Sequence, residues 1–95
     1  MGTYLNPGKA DFEEAKQRKN QYRSAKNRLA STENEIANLE NQLSELKAKE
    51  NDEAITSDYV ALNELFESKS KLEEKIEALY EELERLENII SSYEE

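Results

Sequence analysis

The sequence predicts an all-α protein built as a two-helix antiparallel coiled-coil hairpin. Three observations predict it. Leucine and isoleucine recur with heptad spacing over Leu29–Leu46 and again over Leu62–Ile90. The phase of that repeat breaks between the two blocks. From Lys9 to Glu95 the chain contains no glycine and no proline, the two residues that most weaken a helix interior.

The first eight residues are uncharged and include Asn6-Pro7-Gly8, a turn signal, so residues 1–8 read as a linker or an expression remnant. Helix one is expected over about 9–50. With Tyr22 at position a, the a positions are Ala15, Tyr22, Leu29, Ile36 and Leu43, and the d positions are Arg18, Ala25, Thr32, Leu39 and Leu46. From Leu29 onward only Thr32 interrupts an apolar seam with the spacing of a left-handed coiled coil.

The turn is expected over about 51–57. Asn51 or Asp52 can cap it, and Thr56 or Ser57 can accept N–H bonds at the start of the next helix. Helix two is expected over about 58–93. Its a positions are Leu62, Lys69, Ile76, Leu83 and Ile90, and its d positions are Leu65, Leu72, Leu79, Leu86 and Tyr93. Lys69 and Arg18 are charged seam members, whose stems can pack while their charges reach out to water. An apolar share of 36% against 37% charged suits either long helices or disorder, and the periodicity decides for helices. One uninterrupted helix of about 130 Å is the alternative to a hairpin.

Antiparallel pairing sets each a residue against a d residue whose number falls as the first rises. That rule joins Leu46 to Leu62, Leu43 to Leu65, Leu39 to Lys69 and Ile36 to Leu72. It continues with Leu29 and Leu79, Ala25 and Leu83, Tyr22 and Leu86, and Ala15 and Tyr93. On the flanks it brings Arg28 near Glu82, Glu35 near Lys75 and Lys19 near Glu87, against one like-charge approach of Glu33 to Glu73. The turn then centres near Ala54, and each arm is about 60 Å long.

The same composition excludes most chemistry. There is no cysteine and no histidine, which removes disulfides, thiolates, imidazole bases and His/Cys zinc sites. Adjacent carboxylates such as Glu13-Glu14, Glu73-Glu74 and Glu81-Glu82 lack the water-excluding pocket that acid–base work requires. No glycine-rich loop cradles a phosphate. No catalytic residue, metal site or cofactor is expected, so the chain reads as a non-enzymatic interaction module. No apolar run is long enough for a membrane span or a signal peptide, so the expected setting is cytoplasmic, with no membrane partner.

Charge is unevenly placed. Residues 9–30 carry seven basic and three acidic side chains, a balance of +4, on a chain whose net charge is -9. Lys16, Lys19, Arg23 and Lys26 recur at three- and four-residue spacing, which puts them on one flank of helix one. Part of that charge is expected to face Glu81, Glu82, Glu84 and Glu87 within the molecule. The outward part suits nucleic-acid phosphates, a salt-sensitive attraction blind to sequence. Tyr22 and Tyr93 fall on the seam, Tyr59 starts helix two, and Phe66 and Tyr80 flank the seam, with core or near-core packing expected for most of them. Tyr4, Leu5 and Phe12 fall outside the seam and are expected against the open end.

Several runs resemble a known family. They are Phe12-Glu13-Glu14-Ala15-Lys16, Ile36-Ala37-Asn38-Leu39-Glu40, Ser57-Asp58-Tyr59-Val60-Ala61-Leu62 and Ile76-Glu77-Ala78-Leu79-Tyr80-Glu81-Glu82-Leu83. Together they resemble the C-terminal coiled-coil domain of ABC-F ATPases, a group with Uup-like and ribosome-associated members. That family often has Asp-Pro-Glu at its turn, where this chain has Asp52-Glu53-Ala54, and a tryptophan where this chain has Leu83. The resemblance implies a domain attached to the ATP-binding cassettes of a parent chain, which would hold all ATP hydrolysis. It also implies that Lys16, Lys19, Arg23 and Lys26 contact nucleic acid, either ribosomal RNA or DNA. The competing expectation is a structural or protein-binding stalk with no affinity for nucleic acid. The expected assembly is a monomeric hairpin.

Overall fold

The computed structural model describes the backbone of residues 7–95 and the side chains of residues 11–95. The described residues are all-α, with three helices and no strand: α1 Pro7–Lys49, α2 Glu53–Thr56 and α3 Tyr59–Glu94. Most of the segment read as a linker, residues 1–6, lies outside the described residues. Pro7 opens α1, a position where a missing N–H is no loss.

Without a glycine to stop it, α1 ends by tightening. Glu50, Asn51 and Asp52 each donate to a carbonyl three residues back, at 3.1, 3.2 and 3.0 Å. This is the narrower winding common at helix ends. Lys47 and Lys49 in the last turn meet the negative end of the helix dipole. Two aspartates then start the next helices. Asp52 caps α2 by accepting from the Ala54 N–H at 3.0 Å. Asp58 caps α3 by accepting from the Val60 and Ala61 N–H groups at 3.0 and 3.3 Å. The sequence offered Thr56 or Ser57 for that second role. Asp58 takes it because its backbone is extended, at φ -109° and ψ 110°, whereas Ser57 is still helical at φ -87° and ψ -8°.

The long helices α1 and α3 lie side by side, and their contacts run in opposite chain directions. Tyr22 meets Tyr93, Arg28 meets Glu82, Glu40 meets Tyr80 and Glu50 meets Lys69. The described chain measures 83 × 19 × 15 Å. Its buried residues are Ala25, Thr32, Ile36, Leu65, Ile76 and Leu86, all a or d positions of the two seams. Every buried side-chain nitrogen and oxygen among the described residues has a hydrogen-bond partner. Among the described residues, no helix is long and apolar enough to cross a membrane.

The register differs from the one the seam pattern suggests. Tyr22 stacks on Tyr93, one heptad beyond Leu86, and Lys69 reaches Glu50 rather than lying against Leu39. The cause is α2, which packs against the start of α3. Ile55 of α2 sits with Leu46 of α1 and with Ala61 and Leu65 of α3 around one small cavity at the turn end of the seam. The pairing of α1 with α3 therefore centres past Ala54. Expected flank pairs divide accordingly. Arg28 and Glu82 form an ion pair at 3.2 Å, whereas no ion pair joins Glu35 to Lys75 or Lys19 to Glu87.

Three aromatic expectations are corrected. Tyr59 opens α3 as expected, but it is 78% exposed, and the flanking Phe66 and Tyr80 are 50% and 47% exposed, so near-core packing does not hold for them. Tyr80 instead donates its hydroxyl to Glu40 across the helix pair. Phe12 is also exposed rather than folded onto the open end, while Tyr4 and Leu5 lie outside the described residues.

Candidate nucleic-acid interface

The open end is the part of the molecule farthest from α2, where the first half of α1 runs beside the last turns of α3. At ~100° of arc per residue, Lys16, Lys19, Arg23 and Lys26 fall within about 80° of one another around α1. All four are exposed. None of them is in an ion pair among the described residues.

One of the four is tied to the aromatic lock of the open end. The Tyr22 and Tyr93 rings stack with centroids 4.3 Å apart and planes 19° from parallel. The Tyr22 hydroxyl donates to Glu94 at 2.6 Å, and the Lys26 ammonium lies 5.1 Å from the Tyr22 ring centre. A cation over a ring face is attracted by its negative quadrupole. Lys26 is thereby held near the seam, while Lys16, Lys19 and Arg23 project from the flank.

The other side of the helix pair carries a second group of cations. Glu82 accepts from the Arg85 Nε and Nη2 groups at 2.9 and 2.8 Å, and from Arg28 Nη2 at 3.2 Å. Hydrogen bonds from Arg85 do most to hold its carboxyl down to about 2; burial opposes them, and the Arg85 charge and Arg28 add smaller lowering effects. The same contacts raise Arg85 above its ordinary value. Arg18, the charged seam member of α1, lies nearby in a groove it shares with Gln21, Arg85 and Tyr93.

Sequence reasoning missed this second group. In the sequence Arg18 is a seam residue, Arg28 is half of a flank ion pair, and Arg85 stands alone as an arginine on an acidic helix. The signal that could have found it is the presence of Arg18, Asn20, Gln21, Ser24 and Arg28 on one stretch and of Arg85, Asn88 and Ser92 on the other, in helices otherwise rich in leucine and glutamate.

At the turn end, Lys69 sits at its seam position with its stem packed and its ammonium bound to Glu50, close to the Phe66 ring at 5.8 Å. That contact ties the first turns of α3 to the end of α1. No group of three or more His, Cys, Asp and Glu among the described residues could hold a metal ion.

Among curated proteins and solved structures, none matches the chain. The ABC transporter C-terminal domain model does match, over residues 19–88, which takes in most of α1, all of α2 and most of α3. That span exceeds half of the 95 residues. The chain belongs to the ABC transporter C-terminal domain family.

Proposed function

We propose that this chain is a non-catalytic, cytoplasmic domain that works as a closed, monomeric antiparallel coiled-coil hairpin and contacts nucleic acid through Lys16, Lys19, Arg23 and Lys26. Family membership supports its attachment to the ATP-binding cassettes of an ABC-type parent chain. The finer assignment, to the ABC-F branch with ribosomal RNA or DNA as partner, rests on the runs quoted above. The observation that carries the nucleic-acid reading is the exposed row of four cations, free of ion pairs among the described residues, on a chain that is otherwise strongly acidic. Such a row attracts phosphates by releasing their counterions and reads no base. Distant acidic residues oppose it weakly, because charges more than about 8–10 Å away are screened at physiological salt.

The test is a salt series of binding titrations with short duplex DNA and with structured RNA. Four phosphate contacts give a log–log salt slope of about -3.5 on duplex DNA. Changing Lys16, Lys19, Arg23 and Lys26 to Glu should remove binding and leave the helical signal unchanged. Undiminished affinity in that variant would refute the assignment.

A second reading, a protein-binding stalk without nucleic-acid affinity, is favoured by a different observation. Tyr59, Val60 and Phe66 are all exposed on the outer face of α3 near the turn. That reading predicts no binding to either nucleic acid at any salt concentration.

A further inference from the structure

On the side of the open end away from the lysine flank, the line between α1 and α3 is a furrow. Its outer part, about 350 Å³, is lined by Arg18, Gln21, Arg85, Asn88, Ser92 and Tyr93, with Ile89 as an apolar floor. Its inner part, about 440 Å³, shares Gln21, Arg85 and Ile89 and adds Asn20, Ser24 and Arg28 above the buried Ala25 and Leu86. The two parts are therefore continuous. Both parts are shallow and open to solvent.

The chemistry of the lining is specific. Guanidinium groups present planar forks that match phosphate oxygens, and three of them border this furrow. Gln21, Asn88 and Asn20 carry carboxamides, which donate and accept as the edges of nucleobases do. Ser24 and Ser92 add hydroxyls. Tyr93 and Ile89 supply the aromatic and apolar surface that a base face requires. Glu82 is the acid that touches this group, and its carboxylate is already engaged by Arg28 and Arg85. Rather than repelling a phosphate, it holds two guanidinium groups in place and leaves most of their N–H donors unspent. Arg18 is in no ion pair among the described residues.

We propose that this furrow binds unpaired nucleotides of a single-stranded nucleic acid, with Arg18 and Arg85 on the phosphate, Gln21 and Asn88 on the base edge, and Tyr93 and Ile89 against the base face. In a duplex the phosphates face outward and the bases are stacked inside. A groove that offers partners to both at once selects an unstacked nucleotide. The assignment rests on the nucleic-acid reading above and adds a second contact face with its own specificity. The lysine flank gives charge, and the furrow gives preference for single strands.

The experiment uses the whole chain and two probes, a fluorescent thymidine dodecanucleotide and a blunt duplex of equal length, titrated by anisotropy at several salt concentrations. Arg18→Glu and, separately, Asn88→Ala change exposed side chains, and thermal unfolding checks that each variant stays folded. The expected result is a loss of about tenfold or more in single-strand affinity for Arg18→Glu, a smaller loss for Asn88→Ala, and little change in duplex affinity. Backbone amide shifts on adding the oligonucleotide should centre on Arg18, Gln21, Arg85 and Asn88. If the variant reversed at Lys16, Lys19, Arg23 and Lys26 loses the duplex but keeps the single strand, the furrow stands as an independent site. Equal affinity for both probes, or single-strand binding that follows the lysines and ignores Arg18 and Asn88, overturns the furrow alone. Binding of neither probe overturns both assignments.

Discussion

Tyr22 and Tyr93 face each other ring on ring, 4.3 Å between centroids, and join the first half of α1 to the last turn of α3. Stacked aromatic pairs contribute about 0.5–1.5 kcal/mol beyond the area they bury. A double-mutant cycle with Tyr22→Leu and Tyr93→Leu, read by urea unfolding, should return a coupling of that size. Additive single effects would mean that the rings pack independently and that the stack does not fasten the open end.

The hydrophobic centre of the same region is Leu86, only 1% exposed, which lies with the buried Ala25. Leu86→Ala should cost about 3 kcal/mol, through lost transfer energy and the cavity left beside a residue too small to fill it. Ala25→Leu, the reverse change in size, should also destabilise, by about 1–3 kcal/mol, since a tight seam cannot take the added volume. A stabilised Ala25→Leu variant would mean that the helices can spread there without loss.

Among the described residues, Thr32 is the buried polar member of the seam. A hydroxyl in a dry site gains less than a methyl group does. Thr32→Val is expected to raise the unfolding free energy by about 1 kcal/mol, measurable as a higher urea midpoint. Destabilisation would reveal that the hydroxyl holds the helices in register.

Asp58 carries the start of α3 alone, with two N–H groups on one carboxylate oxygen. Asp58→Ala should cost about 1 kcal/mol, the ordinary value of an N-cap. Ser57→Ala, at a residue whose backbone is helical, should be close to neutral. The reverse order of the two effects, followed by thermal unfolding, would return the cap to Ser57.

Acid should loosen the open end through Glu82. Its folded-state carboxyl is lowered from 4.5 to about 2, mainly by hydrogen bonds from Arg85. A lowered carboxyl contributes stability that is complete above its unfolded value and is lost as the pH falls toward the folded one. The stability gap between the native chain and Glu82→Gln should therefore hold steady above pH 4.5 and close as the pH falls to about 2. A gap independent of pH over that interval would show that the Arg28–Glu82–Arg85 cluster contributes nothing to folding.

Much of the architecture was legible because burial follows period. Ala25, Thr32, Ile36, Leu65, Ile76 and Leu86 all fall on heptad positions, and heptad positions can be counted without coordinates. The register was less legible. Counting assumes that the turn takes residues evenly from both arms, but α2 and Ile55 take them from the α3 side. Aromatic residues suggest a core, but the helix start of Tyr59 and the flanking positions of Phe66 and Tyr80 leave all three exposed. The lysine flank was visible as a spacing on one helix. The arginine furrow was not, since Arg18 and Arg85 meet only when two distant stretches are laid side by side.

The contacts between α1 and α3 form a graded series. Lys69 and Glu50 are 19 residues apart, Arg28 and Glu82 are 54, and Tyr22 and Glu94 are 72. Closing a short loop costs less entropy than closing a long one, and each contact made shortens the loop left for the next. The helix pair thus zips from α2 outward and frays in the opposite order. The Tyr22–Tyr93 stack is the last joint to form and the first to part, so any molecule that bridges Arg18 and Arg85 fastens the zipper at its free end.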